Sequence, residues 1–433
     1  MVATPGSRYA LLAVLLAAAS GGTAFASGFG LREGAADWTA NAFAGNTAKA
    51  YDASTVYTNP AGMVRLSTNE VDATVNYIRP TARFDGYNQV GPNAYTQGSP
   101  GSNLVQDAAT AGLFGVWSYR PNLKFGVSVT TPFGERVTNP GDFVGRYQSL
   151  VSSITDVQLT LAAAYAITPE LSVGVGPVVN YIHTRLTQAV NLGAINARVG
   201  DPVADLRGEN YSAGFVASAM YQWSPALRVG LSYRSRIQHD IDGGQRIFVP
   251  PALGALSPAT AGQLLALSSS AKSQITLPDS VTAGIYYDIA PNLAVFADLQ
   301  WTHWSTFNNL TVVATNGLSA SVTPERWRST VFAAVGFNLR LTDKIMFQAG
   351  AGYDQSPVRD ENRTTRVPDY SRVLAGVGLS YTPIPNLTIT GAYLKLFAGD
   401  AGINNAASTT SGRIVGKYSD SADSASLGVS YRF

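Results

Sequence analysis

The chain has 433 residues, of which 30 are basic, 28 are acidic and none is cysteine. A formal net charge of +2 gives no basic excess for binding nucleic acid, and without thiols neither disulfides nor thiolate chemistry can occur. Charged residues make up only 13% of the chain, well below the roughly 25% usual in soluble domains, while 42 residues are glycine.

The first 26 residues have the pattern of a secretory signal peptide. Arg8 precedes an apolar stretch from Tyr9 to Ala19, and residues 24–26, Ala-Phe-Ala, form a small-x-small cleavage site. The mature chain is therefore predicted to begin at Ser27. No later apolar run is long enough for a transmembrane helix, which leaves either an exported soluble β protein or an outer-membrane barrel.

Residues 27–66 lack the sustained alternation of a strand. They contain Asn59, Pro60 and Ala61, in which proline fixes its own φ and the asparagine side chain can bond nearby backbone groups. The pattern predicts a fixed turn in a segment of short helical turns. The alternative is a plain linker into the first strand.

From residue 67 to residue 433 the chain alternates apolar and polar residues in long segments. Examples are residues 157–167, 211–223, 327–341 and 425–433. Segments of roughly nine to fifteen residues suit tilted strands that cross a bilayer, whereas strands in soluble proteins average about six. Aromatic residues near the segment ends are typical of the belts at the two lipid interfaces.

Short and long connections alternate along this region. Short turns occur near residues 119, 167, 223, 288, 340 and 382, and long polar connections span 80–109, 133–155, 184–208, 241–273, 303–322, 354–370 and 398–421. This asymmetry is typical of outer-membrane barrels. The sequence predicts an all-β membrane protein, a 14-stranded antiparallel barrel over residues 67–433 with both ends in the periplasm. Residues 27–66 would form a hatch inside its lumen.

The predicted lumen face is small and partly apolar. Alternation assigns Val216, Met220, Phe332 and Leu374 to it, and assigns Trp327 to the outer face. Such a lumen favours a packed tunnel for a hydrophobic ligand over the polar channel of a general diffusion porin. These side chains could equally fill space against the hatch.

Two local features of the sequence suggest further parts of a transport route. Pro132, Phe133 and Gly134 break the third strand, 123–137, since proline lacks a ladder donor and glycine often marks a bulge; an ordinary strand end is the alternative. The stretch that begins at Pro258 predicts a short amphipathic helix with Leu264 and Leu265 on one side. It would be either a capture site for hydrophobic molecules or a packed loop.

These features resemble the FadL-type outer-membrane transporters of long-chain fatty acids and other hydrophobic compounds. The specific similarity lies in residues 352–381, with Asp-x-Ser-Pro-Val, Asn-Arg and Pro-Asp-x-x-Arg, in residues 276–307 and in the Asn-Pro-Ala turn. The resemblance implies a hatch-plugged barrel and a kinked third strand that opens a side window at residues 132–134. It also implies an outer hydrophobic groove made by the connections at 184–208 and 241–273.

Arg328 is the candidate anchor for a ligand carboxylate. Alternation assigns it to the lumen, a basic residue occupies the matching place in the family, and a guanidinium can clamp a carboxylate through two hydrogen bonds. The alternative is a salt bridge to Glu33 or Asp37 in the hatch. Gln188 stands where fatty-acid members have a second basic residue, which keeps neutral hydrocarbons open as substrates.

The predicted function is passive transport of hydrophobic molecules, such as long-chain fatty acids or related aromatic compounds, through a plugged barrel with a lateral opening. The alternatives are a general diffusion porin and, third, an outer-membrane enzyme or adhesin. His183, His239 and His303 lack metal-ligand spacing, and no catalytic residue, metal or cofactor is predicted. Expected partners are the hydrophobic substrate and outer-membrane lipid or lipopolysaccharide, but not nucleic acid, and the chain is expected to be a monomer.

Overall fold

The computed structural model describes residues 27–101, 103–408 and 411–433, so the predicted signal peptide lies outside the described residues. Within these ranges, β-segments join edge to edge into one closed antiparallel sheet. The closure is made by the first and last segments, which pair from Glu70 with Arg432 to Gln89 with Arg413.

The described wall has fourteen strands. Nine are continuous, namely β1 (Glu70–Gly91), β3 (Ala108–Arg120), β6 (Val151–Ala166), β7 (Leu171–Ala189), β8 (Val203–Gln222), β17 (Ile345–Asp354), β18 (Arg372–Ile384), β19 (Leu387–Ser408) and β20 (Gly412–Arg432). The other five consist of two segments each: β4 (Leu123–Thr130) with β5 (Gly134–Thr138), β9 (Leu227–Arg234) with β10 (Ile237–Phe248), β11 (Ser269–Leu277) with β12 (Ser280–Ala290), β13 (Leu293–Thr302) with β14 (Asn309–Ala314), and β15 (Ala320–Pro324) with β16 (Thr330–Arg340). The short β2 (Ala94–Tyr95) pairs with the end of β1. The predicted 14-stranded antiparallel barrel is confirmed.

The outer surface carries an apolar band between two aromatic belts. On β8, Tyr211 and Tyr221 are both exposed and lie about ten residues apart, which corresponds to roughly 25 Å across the membrane for a tilted strand. Trp223 and Trp117 extend the belt near the short turns, and the half-buried Tyr181 packs beside Tyr211 in the other belt. The exposed aromatic residues therefore match the height of a bilayer.

The six short turns lie where the sequence predicts them, but strand extends into six of the seven predicted long connections, most extensively into 80–109 and 398–421. β1 continues to residue 91, β19 continues to Ser408 and β20 begins at Gly412, so the described part of 398–421 is almost entirely paired strand. Arg413, Lys417 and Ser419 of these strands are exposed, while Ile403, Ile414 and Tyr418 point inward and pack with Phe84 and Phe143. Pairing with β1 gives these polar stretches a complete ladder, which is why they remain sheet.

The segment before β1 lies inside the barrel. It contains α1 (Ala36–Ala40), α2 (Thr55–Thr58) and a 3₁₀ helix, Pro60–Arg65. Helix α1 packs on β18–β20, and the 3₁₀ helix packs on β4 and β6–β8. Most of its residues are buried, including the polar Thr39, Asn41 and Asn59, so the predicted hatch fills the lumen.

The remaining helices lie in the connections opposite the short turns. They are α3 (Asn196–Val199), α4 (Pro251–Leu256) and α5 (Pro258–Ala266), with a 3₁₀ turn at 193–195, whereas the 3₁₀ turn at 304–306 separates β13 from β14. Helix α5 is the one that the sequence predicts, whereas α4 begins at an unpredicted Pro-Pro pair. Across the described ranges, every helix is too short or too polar to cross a membrane.

Candidate ligand-binding site

A cavity of about 160 Å³ lies between the hatch and the barrel wall. The hatch contributes residues of its first turn together with Trp38, Phe43 and Tyr57. The wall contributes the break in the third strand and inward residues of β9, β12, β13 and β16. The lining mixes aromatic rings with a few polar and charged groups, which is typical of a site that binds and orients a small molecule.

An aromatic cluster beside the cavity fixes the start of the hatch. The Phe29 ring lies 4.9 Å from the Trp304 ring, 5.6 Å from Phe307, 5.4 Å from Trp327 and 6.0 Å from Phe133, measured between centroids. Three of these four rings are buried, and the pairs are tilted or edge-to-face, which is the favourable arrangement for aromatic pairs. Phe29 therefore connects the hatch with the broken strand.

The third strand is broken where the sequence predicts, between β4 and β5. At this break its backbone bonds to the hatch: Leu31 donates its N–H to the Pro132 carbonyl at 2.7 Å, and Gly134 donates to the Phe29 carbonyl at 2.9 Å. Pro132 itself has no N–H for a ladder. At the break the third strand therefore hydrogen-bonds to the hatch inside the barrel instead of to the neighbouring strand β3.

The break leaves a gap in the ladder between β3 and the third strand. Pairing between β3 and β4 ends at Leu113 and Val129, and the next contact is the single bridge of Val105 with Val137. Across the gap β3 contributes residues 108–112, Ala-Ala-Thr-Ala-Gly, whose side chains are too small to fill it. On the inner side the gap is covered by hatch residues 29–31.

Arg234 is the cavity's guanidinium without an acidic partner. It donates to the Gln158 side chain at 2.8 Å and to the Tyr57 carbonyl at 2.7 Å, and its Cζ lies 4.1 Å from the Tyr57 ring centroid. Among the described residues no carboxylate lies within 4 Å of it. A half-buried cation that has only neutral acceptors favours a bound anion.

The other charged groups of the cavity already have partners. Arg32 pairs with Asp354 at 3.2 Å and stacks on Phe332, 3.9 Å from its centroid. Asp298 accepts from the backbone N–H of Thr47 at 3.1 Å. Glu33 accepts from the Arg32 backbone N–H at 3.1 Å, and burial raises the pKa of its carboxyl group.

A buried ionic network connects the hatch with the connection between β17 and β18. Asp354 accepts from Arg32 and, at 3.1 Å, from Arg372, which also reaches Asp369 at 3.3 Å. Asp369 in turn accepts from the backbone N–H of Gly28 at 3.1 Å. Asp354, Asp369 and Arg372 belong to the Asp-x-Ser-Pro-Val and Pro-Asp-x-x-Arg patterns, but the sequence alone predicted no role for them.

Replacing Arg372 by Met should strongly destabilise the protein. The change leaves Asp354 with Arg32 as its one remaining ion-pair partner and Asp369 with no ion pair, and breaking a buried ion pair typically costs about 3–5 kcal/mol. The control is Lys417→Met, because the pair of Lys417 with Asp400 is exposed and should contribute little. Denaturant midpoints measured on refolded protein would contradict the network's importance if both variants behaved alike.

Three of the predicted site residues line the cavity, namely Phe332, Pro132 and Phe133. Gly134 follows directly at the start of β5. Val216, Met220 and Leu374 face inward and are at most 2% exposed, as alternation predicts, but they pack against other residues instead of lining the cavity. Whether they contact ligand stays a prediction.

The expected orientation of Trp327 is wrong. Its indole is 3% exposed and belongs to the aromatic cluster, because regular strand begins only at Thr330 and Arg326 has a positive φ of 46°. Arg328 does not line the cavity, and its Nε donates to the Ser356 carbonyl at 3.0 Å. Neither proposed hatch acid pairs with Arg328. Asp37 instead pairs with Lys49 at 2.5 Å.

A second apolar cluster lies outside the lumen. Leu264 of α5 is 7% exposed and packs with Ile247, Leu253 and Ala261 beside the connection at residues 190–202. Leu265, expected on the same side, is instead 53% exposed, because adjacent helical residues point about 100° apart. The cluster joins the two connections that the resemblance assigns to an outer groove.

The Asn59 turn is anchored on the wall near the short turns. The Asn59 side chain accepts from Ala61 N–H and donates to the carbonyls of Thr47 and Ala219 at 2.7 and 3.2 Å. Pro60 opens the 3₁₀ helix, and a side chain at Gly174 would meet the Ala61 nitrogen at 2.4 Å. The turn therefore has a fixed geometry against β7 and β8.

In the part of the chain that the structure describes, no group of His, Cys, Asp or Glu residues is arranged to hold a metal ion. His239 is buried with its Nδ1 3.0 Å from the Asn210 side chain, and His303 contacts Asp279 at 3.1 Å. His183 lies near Glu209 on the outer face. The three histidines have separate surroundings, so they form no common site.

Comparison with known proteins gives consistent matches. A family model described as outer membrane protein transport protein (OMPP1/FadL/TodX) matches residues 16–433. Outer membrane protein P1 of Haemophilus influenzae is 27% identical over 89% of each chain. A long-chain fatty acid transport protein of Escherichia coli is 24% identical and covers 83% of this chain and 84% of its own.

The same fold occurs in a crystal structure of a Pseudomonas aeruginosa FadL homologue. It superimposes with a TM-score of 0.85 at 24% identity, covering 94% of this chain and 100% of that one. None of the matches supports a general diffusion porin, and the family consists of transporters, not enzymes. The chain belongs to the OMPP1/FadL/TodX family of outer-membrane proteins, which transport hydrophobic compounds.

Proposed function

We propose that the protein carries amphipathic molecules with an anionic end, such as long-chain carboxylates, into the cavity and out sideways through the wall. The observation that carries this proposal is the position of the cavity. It lies between the hatch and the strand break at Pro132–Gly134, next to a gap in the ladder. A ligand in this cavity touches both the plug and the opening.

Arg234 is the reason for proposing that the ligand has an anionic end. Its guanidinium faces the cavity with only neutral partners, so a carboxylate there gains a charge-assisted hydrogen bond and compensates a half-buried charge. Arg32 lies on the same cavity but is already paired with Asp354. We therefore propose Arg234, in place of the sequence-based candidate Arg328, as the anchor for the ligand carboxylate.

The size of the cavity supports a lateral exit. An apolar cavity of about 150 Å³ holds a benzene ring, so a volume of about 160 Å³ accommodates only part of a long alkyl chain. The rest of the chain needs the space beside residues 108–112, where the wall lacks ladder bonds. Movement of residues 29–31 off the broken strand then opens the gap toward the lipid.

The outer apolar cluster is the proposed entry. Leu264 and Leu253 form its buried part, while Leu265, Leu256 and Phe248 are each more than half exposed on the same connections. An exposed apolar surface of this kind binds hydrophobic molecules before they enter the barrel. At the opposite end, Asn59, Pro60 and Ala61 are proposed to keep the periplasmic side of the hatch closed.

Matched ligands test the role of Arg234. Wild-type protein in detergent should bind dodecanoate about 10- to 100-fold more tightly than dodecanol, the range expected for one hydrogen bond to a charged group. Arg234→Gln removes the charge but keeps an amide that can donate to the Tyr57 carbonyl. This variant should bind both ligands with the wild-type affinity for dodecanol, as measured by isothermal titration.

Arg328→Gln is the control, because Arg328 lies outside the cavity lining, and it should keep the preference for dodecanoate. A preference that survives in Arg234→Gln but disappears in Arg328→Gln would restore the original candidate. Equal binding of dodecanol and dodecanoate by wild-type protein would favour neutral hydrocarbons or aromatic compounds. If the protein binds neither these ligands nor aromatic compounds, the proposed route is wrong.

We also propose that the protein is a monomer in contact with lipopolysaccharide. Outward-facing Arg79, Asp423 and Lys395 lie in one row across β1, β20 and β19, one step above Tyr77 and Tyr393 of the aromatic belt. Basic side chains at this height suit the phosphate groups of the outer leaflet. Native mass spectrometry from a mild detergent would test both the mass and the bound lipid.

A further inference from the structure

Two acidic residues meet where the hatch contacts the first strand. Asp52 lies in the hatch, and Asp72 lies near the start of β1, where its side chain points into the barrel and is 8% exposed. Both accept from the backbone N–H of Ser54, Oδ1 of Asp52 at 3.0 Å and Oδ2 of Asp72 at 3.1 Å. These oxygens are therefore at most about 6 Å apart, close enough for the two charges to interact strongly. Asp52 and Asp72 are called the acid pair below.

The charged groups around the acid pair do not neutralise it. Asp37 and Lys49 face it from the hatch, where they pair with each other at 2.5 Å. Glu70 faces it from β1 and pairs with Arg432 of β20 at 3.3 Å. In the part of the chain that the structure describes, neither member of the acid pair has a base within 4 Å. Four acidic groups therefore share two bases, and the acid pair carries the excess.

The acid pair also lacks hydrogen-bond donors. The Ser54 hydroxyl donates to Asp52, whereas Oδ1 of Asp72 is buried without a partner among the described residues. Burial, and then the negative charge of Asp37, raise the pKa of the Asp52 carboxyl group. A buried carboxylate without a partner is costly, and two neighbouring carboxyl groups reduce this cost when one of them keeps a proton.

We propose that the acid pair holds one proton at neutral pH and that this proton seats the hatch on β1. The proton removes one of two adjacent negative charges and supplies the donor that the pair lacks. A displaced, hydrated hatch binds the proton less tightly. The pair therefore stabilises the seated hatch below the ordinary pKa of aspartate, and this stabilisation is lost as the pH rises through the raised pKa of Asp52.

The acid pair is connected to the cavity through Trp38. The indole N–H of Trp38 donates to the Ser54 hydroxyl at 3.0 Å, and Trp38 lines the cavity. Ser54 also directly precedes helix α2, so a shift of Ser54 away from β1 moves both the helix and the indole. Loss of the proton should therefore loosen the packed lumen, and the barrel should let ions through in alkaline medium.

Ion current measured against pH tests the proposal. Wild-type protein in planar bilayers should pass little current at neutral pH and more at alkaline pH, with the rise spread over about two pH units as for a single proton. Asp72→Asn replaces the carboxylate by a neutral group of the same shape that can donate, so its current should stay low at both pH values. Asp52→Asn should behave in the same way, and it carries the test if Asp72→Asn does not fold. Asp85→Asn, on the exposed face of the same strand, is the matched control and should keep the wild-type pH dependence.

Infrared difference spectroscopy detects the proton itself. The spectrum of wild-type protein minus that of Asp72→Asn should contain the C=O stretch of a protonated carboxylic acid at neutral pH. This band should disappear at alkaline pH over the range in which the current rises. Neither measurement involves a transported molecule, so the result does not depend on the proposed ligand class.

Three results would overturn the proton at the acid pair. They are a wild-type current that is the same at neutral and alkaline pH, a wild-type pH dependence that persists in both Asp72→Asn and Asp52→Asn, and the absence of the infrared band at neutral pH. If the band is absent and EDTA raises the current, the acid pair holds a metal ion instead of a proton.

Discussion

Deleting residues 28–62 behind an intact signal peptide should yield a folded barrel that conducts ions steadily. The wall satisfies its backbone through pairing between neighbouring strands and the closing pairs of β1 with β20, so most of it does not need the hatch. The deleted residues fill the lumen with buried side chains such as Trp38, Asn41 and Phe43. Its removal replaces a packed interior with water.

The measurement is single-channel current in planar bilayers, with the shift in gel mobility on heating as the check that the barrel is folded. The deleted barrel should also lose the discrimination between dodecanoate and dodecanol, because Tyr57 no longer lines the cavity. An electrically silent, folded barrel with unchanged uptake would mean that the segment is only a linker. That result would contradict the proposed gating role of Asn59, Pro60 and Ala61.

Restoring regular strand at the break should abolish uptake while the barrel stays folded. The change replaces Pro132, Phe133 and Gly134 by Val, Thr and Val. It supplies the missing N–H at residue 132 and residues that favour extended backbone, so β4 and β5 can join and pair with β3 across the gap. The hatch at residues 29–31 then loses its backbone partners on this strand.

Growth on oleate as the sole carbon source, in a strain without its own transporter, measures the effect. Gly141→Val is the control, because a side chain at this loop position has no neighbour within 4 Å and should leave growth unchanged. Normal growth of a folded triple variant would remove the lateral opening from the mechanism. Loss of growth in both variants would instead indicate poor assembly.

The strand architecture was predictable because alternation is a local property of the sequence. A tilted strand with lipid on one side must repeat every two residues, so Phe215 faces out and Val216 faces in, as the pattern predicts. The turns carry proline or aspartate at fixed places. The break at Pro132 was visible for the same reason, since a missing donor is a property of one residue.

The site was less predictable, because its contacts join residues that lie far apart in the chain. Arg328 and Arg234 are both arginines near strand ends, yet only Arg234 lines the cavity, while Arg328 follows the irregular backbone at Arg326 and bonds to the Ser356 carbonyl. The partners of Asp354 come from the hatch and from β18. The alternation of apolar and polar residues indicates on which face of the sheet a side chain lies. It does not indicate which residues from other parts of the chain that side chain contacts.

The closing ladder of β1 with β20 also bears on how the protein is assembled. Asn76 and Ser426 are 350 residues apart in the chain and hydrogen-bond across this ladder. The hatch touches both strands there, through the Glu33 carbonyl on Asn76 and the Thr39 hydroxyl on Ser426. Pairing between the two ends of a chain is slow because many residues must be ordered first. A hatch seated on both strands selects their register, so hatch variants should slow insertion into the membrane before they alter transport.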